Sequence, residues 1–187
     1  MRLFTAIDLP DTVKDRLNEI QDPGLGIRWT APEAMHLTLR FIGDVDSETR
    51  DDLIARMSEL ERSSFSFTIR DIGYFPPRKH PNIVWVGIEE SNPLMELQSR
   101  IESACRRAGL EPDERPFTPH ITIGRVKGAR KNEVLSFINN HKKLRIEEIP
   151  VEEFILYEST LKPDGAVHTP LRRFSLKQPA NQSGTEQ

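Results

Sequence analysis

The chain has 187 residues, of which 36% are hydrophobic and 29% charged, so it reads as soluble and globular, with enough length for one large domain or two small lobes around a shared core. A net charge of −3 argues against broad electrostatic binding to nucleic acid and leaves room only for a substrate held at one local site. Cys105 is the single cysteine, which excludes a disulfide framework and a CxxC metal site, and its place on a helical apolar stripe makes it a core residue. The opening MRLFTAIDLP does not read as a signal peptide and no apolar run approaches membrane-spanning length, so the expected setting is cytoplasmic, without a membrane partner.

Leu3 to Leu9 is a short apolar run closed by Asp8-Leu9-Pro10 and predicts a buried strand. Val13, Leu17 and Ile20 then recur at helical spacing until Pro23-Gly24. The stretch MHLTLRFIG (35–43) alternates: Leu37, Leu39 and Phe41 point one way, His36, Thr38 and Arg40 the other. Ser47 is placed to cap a helix with Leu53, Met57 and Leu60 inside, and Phe65, Phe67 and Ile69 alternate as a strand.

The pattern then starts again. Ile83 to Ile88 is an apolar run, Asn92-Pro93 opens a helix carrying Leu94, Leu97, Ile101, Ala104 and Ala108, and Gly109 ends it. A second histidine-bearing strand lies in RPFTPHITIGR (115–125), followed by a helix with Val134 and Ile138 and a strand around Phe154 to Tyr157. Both halves read strand, helix, histidine strand, helix, strand, and the two histidines (36 and 120) stand 84 positions apart. The expectation is an α+β fold of two pseudo-symmetric lobes, each a mostly antiparallel sheet with helices on its outer face, and a cleft between the sheets. The single bilobal domain runs over 1–177, with the repeat at roughly 1–75 and 80–160 and a closing strand near 169–176; 178–187 reads as a disordered tail.

His36 and His120 occupy strand positions where an apolar side chain would pack better, and each is followed two residues later by a threonine, Thr38 and Thr122. Residues i and i+2 share a strand face, so each cassette presents an imidazole beside a hydroxyl. An imidazole titrating near neutrality accepts or donates protons, and two of them flanking one atom serve as base and acid in a single displacement. A phosphodiester suits that geometry, with the hydroxyls directed at its oxygens. Arg40, on the histidine face, is a further donor candidate; Arg125 is another but requires a bulge or the strand's end to reach that face. No carboxylate cluster of the two-metal kind is present in the pattern, so metal-independent chemistry is expected. His80, His141 and His168 read as surface residues.

The segments HLTLRFIG and RPFTPHITIGR resemble the paired motifs of the two-histidine phosphoesterases, and the whole chain is similar to the prokaryotic RNA 2′,3′-cyclic phosphodiesterases, also described as 2′-5′ RNA ligases. RLFTAIDLP, FIGDV, YFPPRKHPNIVWVGI and FILYESTL carry the likeness along the chain. The resemblance implies that His36 and His120 are the catalytic pair, with Thr38, Thr122 and Arg125 on the phosphate. It implies hydrolysis of an RNA terminal 2′,3′-cyclic phosphate to a 2′-phosphate without metal or nucleotide cofactor, and a reversible capacity for 2′-5′ joining. The expected roles are His120 activating water and His36 protonating the leaving 3′ oxygen. Where the family often has arginine this chain has Asn82, so no substrate contact is carried over to that position. A binding module for RNA ends and a phosphoesterase for a small cyclic-phosphate metabolite are the other readings. Because one chain supplies both cassettes, a monomer suffices.

Overall fold

The computed structural model of the chain describes residues 1–76, 78–163 and 165–178; the tail expected beyond that lies outside the described residues. Its strands are β1 (Arg2–Asp8), β2 (Ile27–Trp29), β3 (His36–Asp44), β4 (Phe65–Phe75), β5 (Ile83–Ile88), β6 (His120–Val126), β7 (Arg145–Val151), β8 (Glu153–Lys162) and β9 (Gly165–Ser175). Its helices are α1 (Asp11–Glu19), α2 (Ser47–Ser58), α3 (Asn92–Arg107) and α4 (Lys131–Asn140). None of them is long and apolar enough to cross a membrane.

Local chemistry accounts for most of these elements. The run from Leu3 to Ile7 is apolar apart from Thr5, and β1 is buried through its whole middle. Helix α3 buries Leu94, Leu97, Ile101, Ala104 and Cys105, one face of a 3.6-residue period, and Gly109 ends it at φ 85°, a left-handed turn that glycine adopts without a Cβ penalty. Burial pushes the Cys105 thiol up to about 11, as befits a core residue. Helix α2 is capped one residue earlier than the sequence suggests: the carboxylate of Asp46, not Ser47, accepts the Thr49 N–H at 2.8 Å.

The strands form one antiparallel sheet in the order β7-β4-β5-β6-β3-β1-β8-β9, with β2 on β6. Outward from the β3–β6 junction the two wings correspond: β3-β1-β8-β9 on one side, β6-β5-β4-β7 on the other. The closing strand of each half of the sequence has therefore crossed over. β4 pairs with β5 of the second half, and β8 pairs with β1 of the first. The antiparallel α+β character is as expected, but the two sets of strands share an edge through Leu37 and Ile121 instead of facing each other across a gap. One hydrophobic cluster runs under both wings, joining Leu37, Leu39, Ile121 and Ile123 to Leu17, Met57, Leu97 and Val134 of the helices. The opposite face carries only a small cluster of Phe4, Ala6, Ile155 and Tyr157. That face is where the histidines stand.

Candidate active site

Leu37 opposes Ile121 where β3 and β6 meet. In an antiparallel pair the register runs in opposite directions from that point, so His36 is set against Thr122 and Thr38 against His120. Each histidine thus has its own threonine two residues along its strand and the other cassette's threonine across the junction. The strands pair only at this one position, and all four side chains are neither fully buried nor fully exposed. They form a polar row that a small anion can reach.

Each strand carries a bulge just past its cassette, and the two bulges are equivalent. On β3 the partners of Thr5 and Ala6 are Arg40 and Thr38, leaving Leu39 unopposed. On β6 the partners of Val84 and Trp85 are Gly124 and Thr122, leaving Ile123 unopposed. An inserted residue reverses the facing of everything that follows. Arg125 is turned by its bulge onto the histidine face, where it opposes Ile83. Arg40 is turned the other way, which corrects the expectation that it shares a face with His36 and Thr38. It is 9% exposed, donates to Glu102 on α3 at 2.6 Å and to the Glu111 carbonyl at 2.6 Å, bonds the Phe41 carbonyl, and lies 3.9 Å from Asp113. Its guanidinium is committed to bracing the segment that leads into β6. Phe41 exchanges faces with it and is 56% exposed on the histidine side, 6.2 Å from the Phe4 ring.

The histidines are held from below by aromatic rings. His120 stands edge-on to Phe75 at 5.1 Å and tilted to Trp85 at 6.4 Å. Its Nδ1 lies 2.7 Å from the Thr118 carbonyl, which it meets by donating a proton, so Nε2 is the atom left toward the cleft. His36 lies over Phe4 at 5.1 Å and Tyr157 at 6.2 Å. The residue that sequence reading misplaces is His168: β9 brings it edge-on to His36 at 5.3 Å and to Phe4 at 4.9 Å, and its buried Nδ1 has no hydrogen-bond partner among the described residues. No local signal marks it, because the contact spans 132 positions of sequence from 36 to 168. Burial and the neighbouring His168 hold His36 down at about 4, against the opposing pull of Asp8. His80 and His141 lie outside this arrangement; the latter's Nδ1 is 2.8 Å from the Phe137 carbonyl in α4.

The aromatic floor of the second wing depends on a glycine. A Cβ at Gly73 on β4 would collide with the indole of Trp85. Gly73→Ala is expected to destabilise the protein by about 1–3 kcal/mol through overpacking, and to lift Trp85 from beside His120. Chemical denaturation followed by tryptophan fluorescence checks it; an unchanged midpoint would refute the packing argument. Beside the polar row, a cavity of about 360 Å³ is lined by Thr38, Phe41, Arg115, Phe117 and His120, among others. Arg40, Glu102 and Asp113 also line it, so its wall is aromatic with charges of both signs, next to Thr38 of one cassette and His120 of the other.

An antiparallel α+β sheet that gathers two histidines, two threonines and an arginine on one face has groups able to exchange protons and to donate to phosphate oxygens, as a phosphoesterase requires. The family model for LigT like phosphoesterases matches the chain twice in succession, at residues 7–85 and 86–168, one match to each cassette. The chain belongs to that family. It is 34% identical over 180 residues to the RNA 2′,3′-cyclic phosphodiesterase of Thermotoga maritima, covering 90% of this chain and 91% of that protein. Among solved structures, the Thermus thermophilus protein TT0787 matches with a TM-score of 0.79 at 30% identity, over 96% of this chain and 100% of that one. LigT of E. coli complexed with 3′-AMP matches with a TM-score of 0.76 at 28% identity, over 95% and 98%.

Proposed function

We propose that the protein hydrolyses the 2′,3′-cyclic phosphate at the end of an RNA to a 2′-phosphomonoester. The observation that carries the reading is the register of β3 on β6, which brings the two histidine–threonine cassettes into one row. The relatives named RNA 2′,3′-cyclic phosphodiesterase support it. In the proposed step a water oxygen attacks phosphorus while an imidazole takes its proton. The bond from phosphorus to the 3′ oxygen breaks, and the other imidazole supplies the proton that the 3′ oxygen needs. Thr38, Thr122 and Arg125 donate to the non-bridging oxygens, whose charge rises in the transition state.

We assign the roles in the reverse of the sequence-based expectation, on the environment of His36. A ring held down at about 4 is neutral at pH 7 and suits the base that accepts the proton of water. His120 then protonates the leaving 3′ oxygen. With an RNA 5′-hydroxyl in place of water as the nucleophile, the same displacement forms a bond from phosphorus to the 5′ oxygen, breaks the bond to the 3′ oxygen and joins 2′-5′ ends; its reverse cleaves that linkage to the cyclic phosphate. One chain supplies every group, so a monomer suffices.

A short RNA ending in a 2′,3′-cyclic phosphate, incubated in EDTA, tests the reading. A 2′-phosphate product is expected, and a 3′-phosphate product or the absence of turnover would overturn it, the latter in favour of an RNA-end binding module. His168 provides a second check. Replacing it with alanine opens the wall beside His36 and removes a neighbouring ionisable ring, so His36 is protonated more readily. The acid limb of the kcat/KM profile then moves to higher pH in His168→Ala, and an unmoved limb would refute the contact. Stability follows the same group. His36 binds its proton more readily unfolded, near 6.5, than folded, near 4, so its contribution is complete above pH 6.5 and is lost as pH falls from there to about 4.

A further inference from the structure

Strand β2 is only three residues long, Ile27–Trp29, yet it adds a second arginine to the site. Ile27 is 6% exposed in the main core, and Trp29 packs its ring 5.0 Å from that of Phe137 on α4. Both therefore face the helices, and Arg28 between them faces the histidine side. Its partner in the ladder is Arg125, while Trp29 opposes Gly124. Gly124 is the position that lets this approach happen, because a Cβ there would meet Ile27 and Trp29 at 2.6 and 3.0 Å. Two guanidinium-bearing residues thus lie directly opposite each other on one face, both exposed.

Like charges directly opposed across a sheet are destabilising unless something lies between them. Among the described residues neither Arg28 nor Arg125 has a carboxylate within 4.0 Å, nor any side-chain hydrogen bond, whereas the opposed arginines Arg70 and Arg145 share Glu89 between them. The pair is arranged to receive anions. A cyclic phosphate has one negative charge and two non-bridging oxygens, and Thr38, Thr122 and Arg125 already satisfy them. Arg28 lies one strand further out.

From this we infer that Arg28 binds the next phosphate along the RNA, the internucleotide phosphate on the 5′ side of the terminal nucleoside, so that the site is built for the end of a polymer and not for a cyclic mononucleotide. The inference rests on the cyclic-phosphate reading and specifies its substrate. Guanidinium donors match phosphate oxygens in a fork, and such charge-assisted bonds are about twice as strong as neutral ones.

The experiment compares a 2′,3′-cyclic mononucleotide with a short oligoribonucleotide ending in the same cyclic nucleotide, for wild type, Arg28→Ala and Arg28→Lys. In Arg28→Ala the kcat/KM for the oligomer should fall about tenfold or more, chiefly through KM, with the mononucleotide unchanged. The salt dependence of oligomer binding should become shallower by ~0.7 in the log–log slope, the value for one contact to a single strand, and Arg28→Lys should restore part of it. An equal loss on both substrates, or no loss on the oligomer, overturns the inference. Affinity for an RNA ending in a 2′-phosphate, measured by fluorescence anisotropy in the same variants, reads the Arg28 contact without turnover. If wild type turns over neither substrate while Arg28→Ala still weakens that binding, the hydrolytic reading fails and the phosphate contact stands; unchanged binding overturns the contact.

Discussion

Replacing His120 or His36 is expected to lower kcat/KM for a cyclic-phosphate RNA by about 10²–10⁴-fold while the protein stays folded. The size follows from what each ring does. Water is a poor nucleophile until its proton is taken, and an RNA 3′ oxygen is a poor leaving group until one is given. His120 is the cleaner test, because it is only half-buried and its Nδ1 contact is to the Thr118 carbonyl, so His120→Ala removes the proposed proton donor with little loss of packing. His36 lies between Phe4, Tyr157 and His168, and His36→Gln keeps more of that packing than alanine does. Since the two rings act in one step, the double variant should be little worse than the poorer single one. Activity in either single variant within about threefold of wild type would remove the two-histidine mechanism. The assay is steady-state hydrolysis in EDTA, with circular dichroism as the check on folding.

The second large effect is on stability and falls at Arg40. Arg40→Ala should destabilise the protein by about 2–4 kcal/mol, the range for removing one partner of a well-shielded ion pair. The guanidinium of Arg40 joins α3, through Glu102, to the segment at Glu111 and Asp113, which continues through Thr118 into His120. Without it the Glu102 carboxylate, which also accepts the Asp113 N–H at 3.3 Å, loses its cation in a part-buried place. For a chain of this length the expected fall in Tm is roughly 5–15 °C. Replacing both partners with apolar residues, as in Arg40→Met with Glu102→Leu, should recover part of the loss because no charge is left stranded. The kcat/KM should fall by less than about tenfold below the lowered Tm. A stable Arg40→Ala protein with a large rise in KM would mean that Arg40 holds phosphate after all.

The comparison of Arg40 with Arg125 shows where sequence reading stops. Their cassettes are equivalent, and strict alternation puts Arg40 on the histidine face and Arg125 off it. The bulges at Leu39 and Ile123 reverse both. A bulge is decided by which partner residues the neighbouring strands offer, β1 and β5 here, and those partners are tens of positions away in sequence. Strands β2 and β7 escape a sequence reading for related reasons. β2 is three residues long, and β7 loses its alternation at Glu148, where φ is 56°. Neither carries a periodic signal long enough to read.

Features that depend on periodicity and on rare placements are legible in the chain alone. Apolar spacing marks four helices and most strands, the repeated order of elements marks two related halves, and two imidazoles in strand positions that favour apolar side chains mark the candidate site. How those pieces meet is set by the three-dimensional fold. The exchange of β4 and β8 between the wings, the single Leu37–Ile121 contact that aligns the cassettes, the approach of His168 to His36 and the pairing of Arg28 with Arg125 all join residues far apart in the chain. Local propensity reports on a residue and its near neighbours; which strand edge it meets is settled by packing the whole core at once.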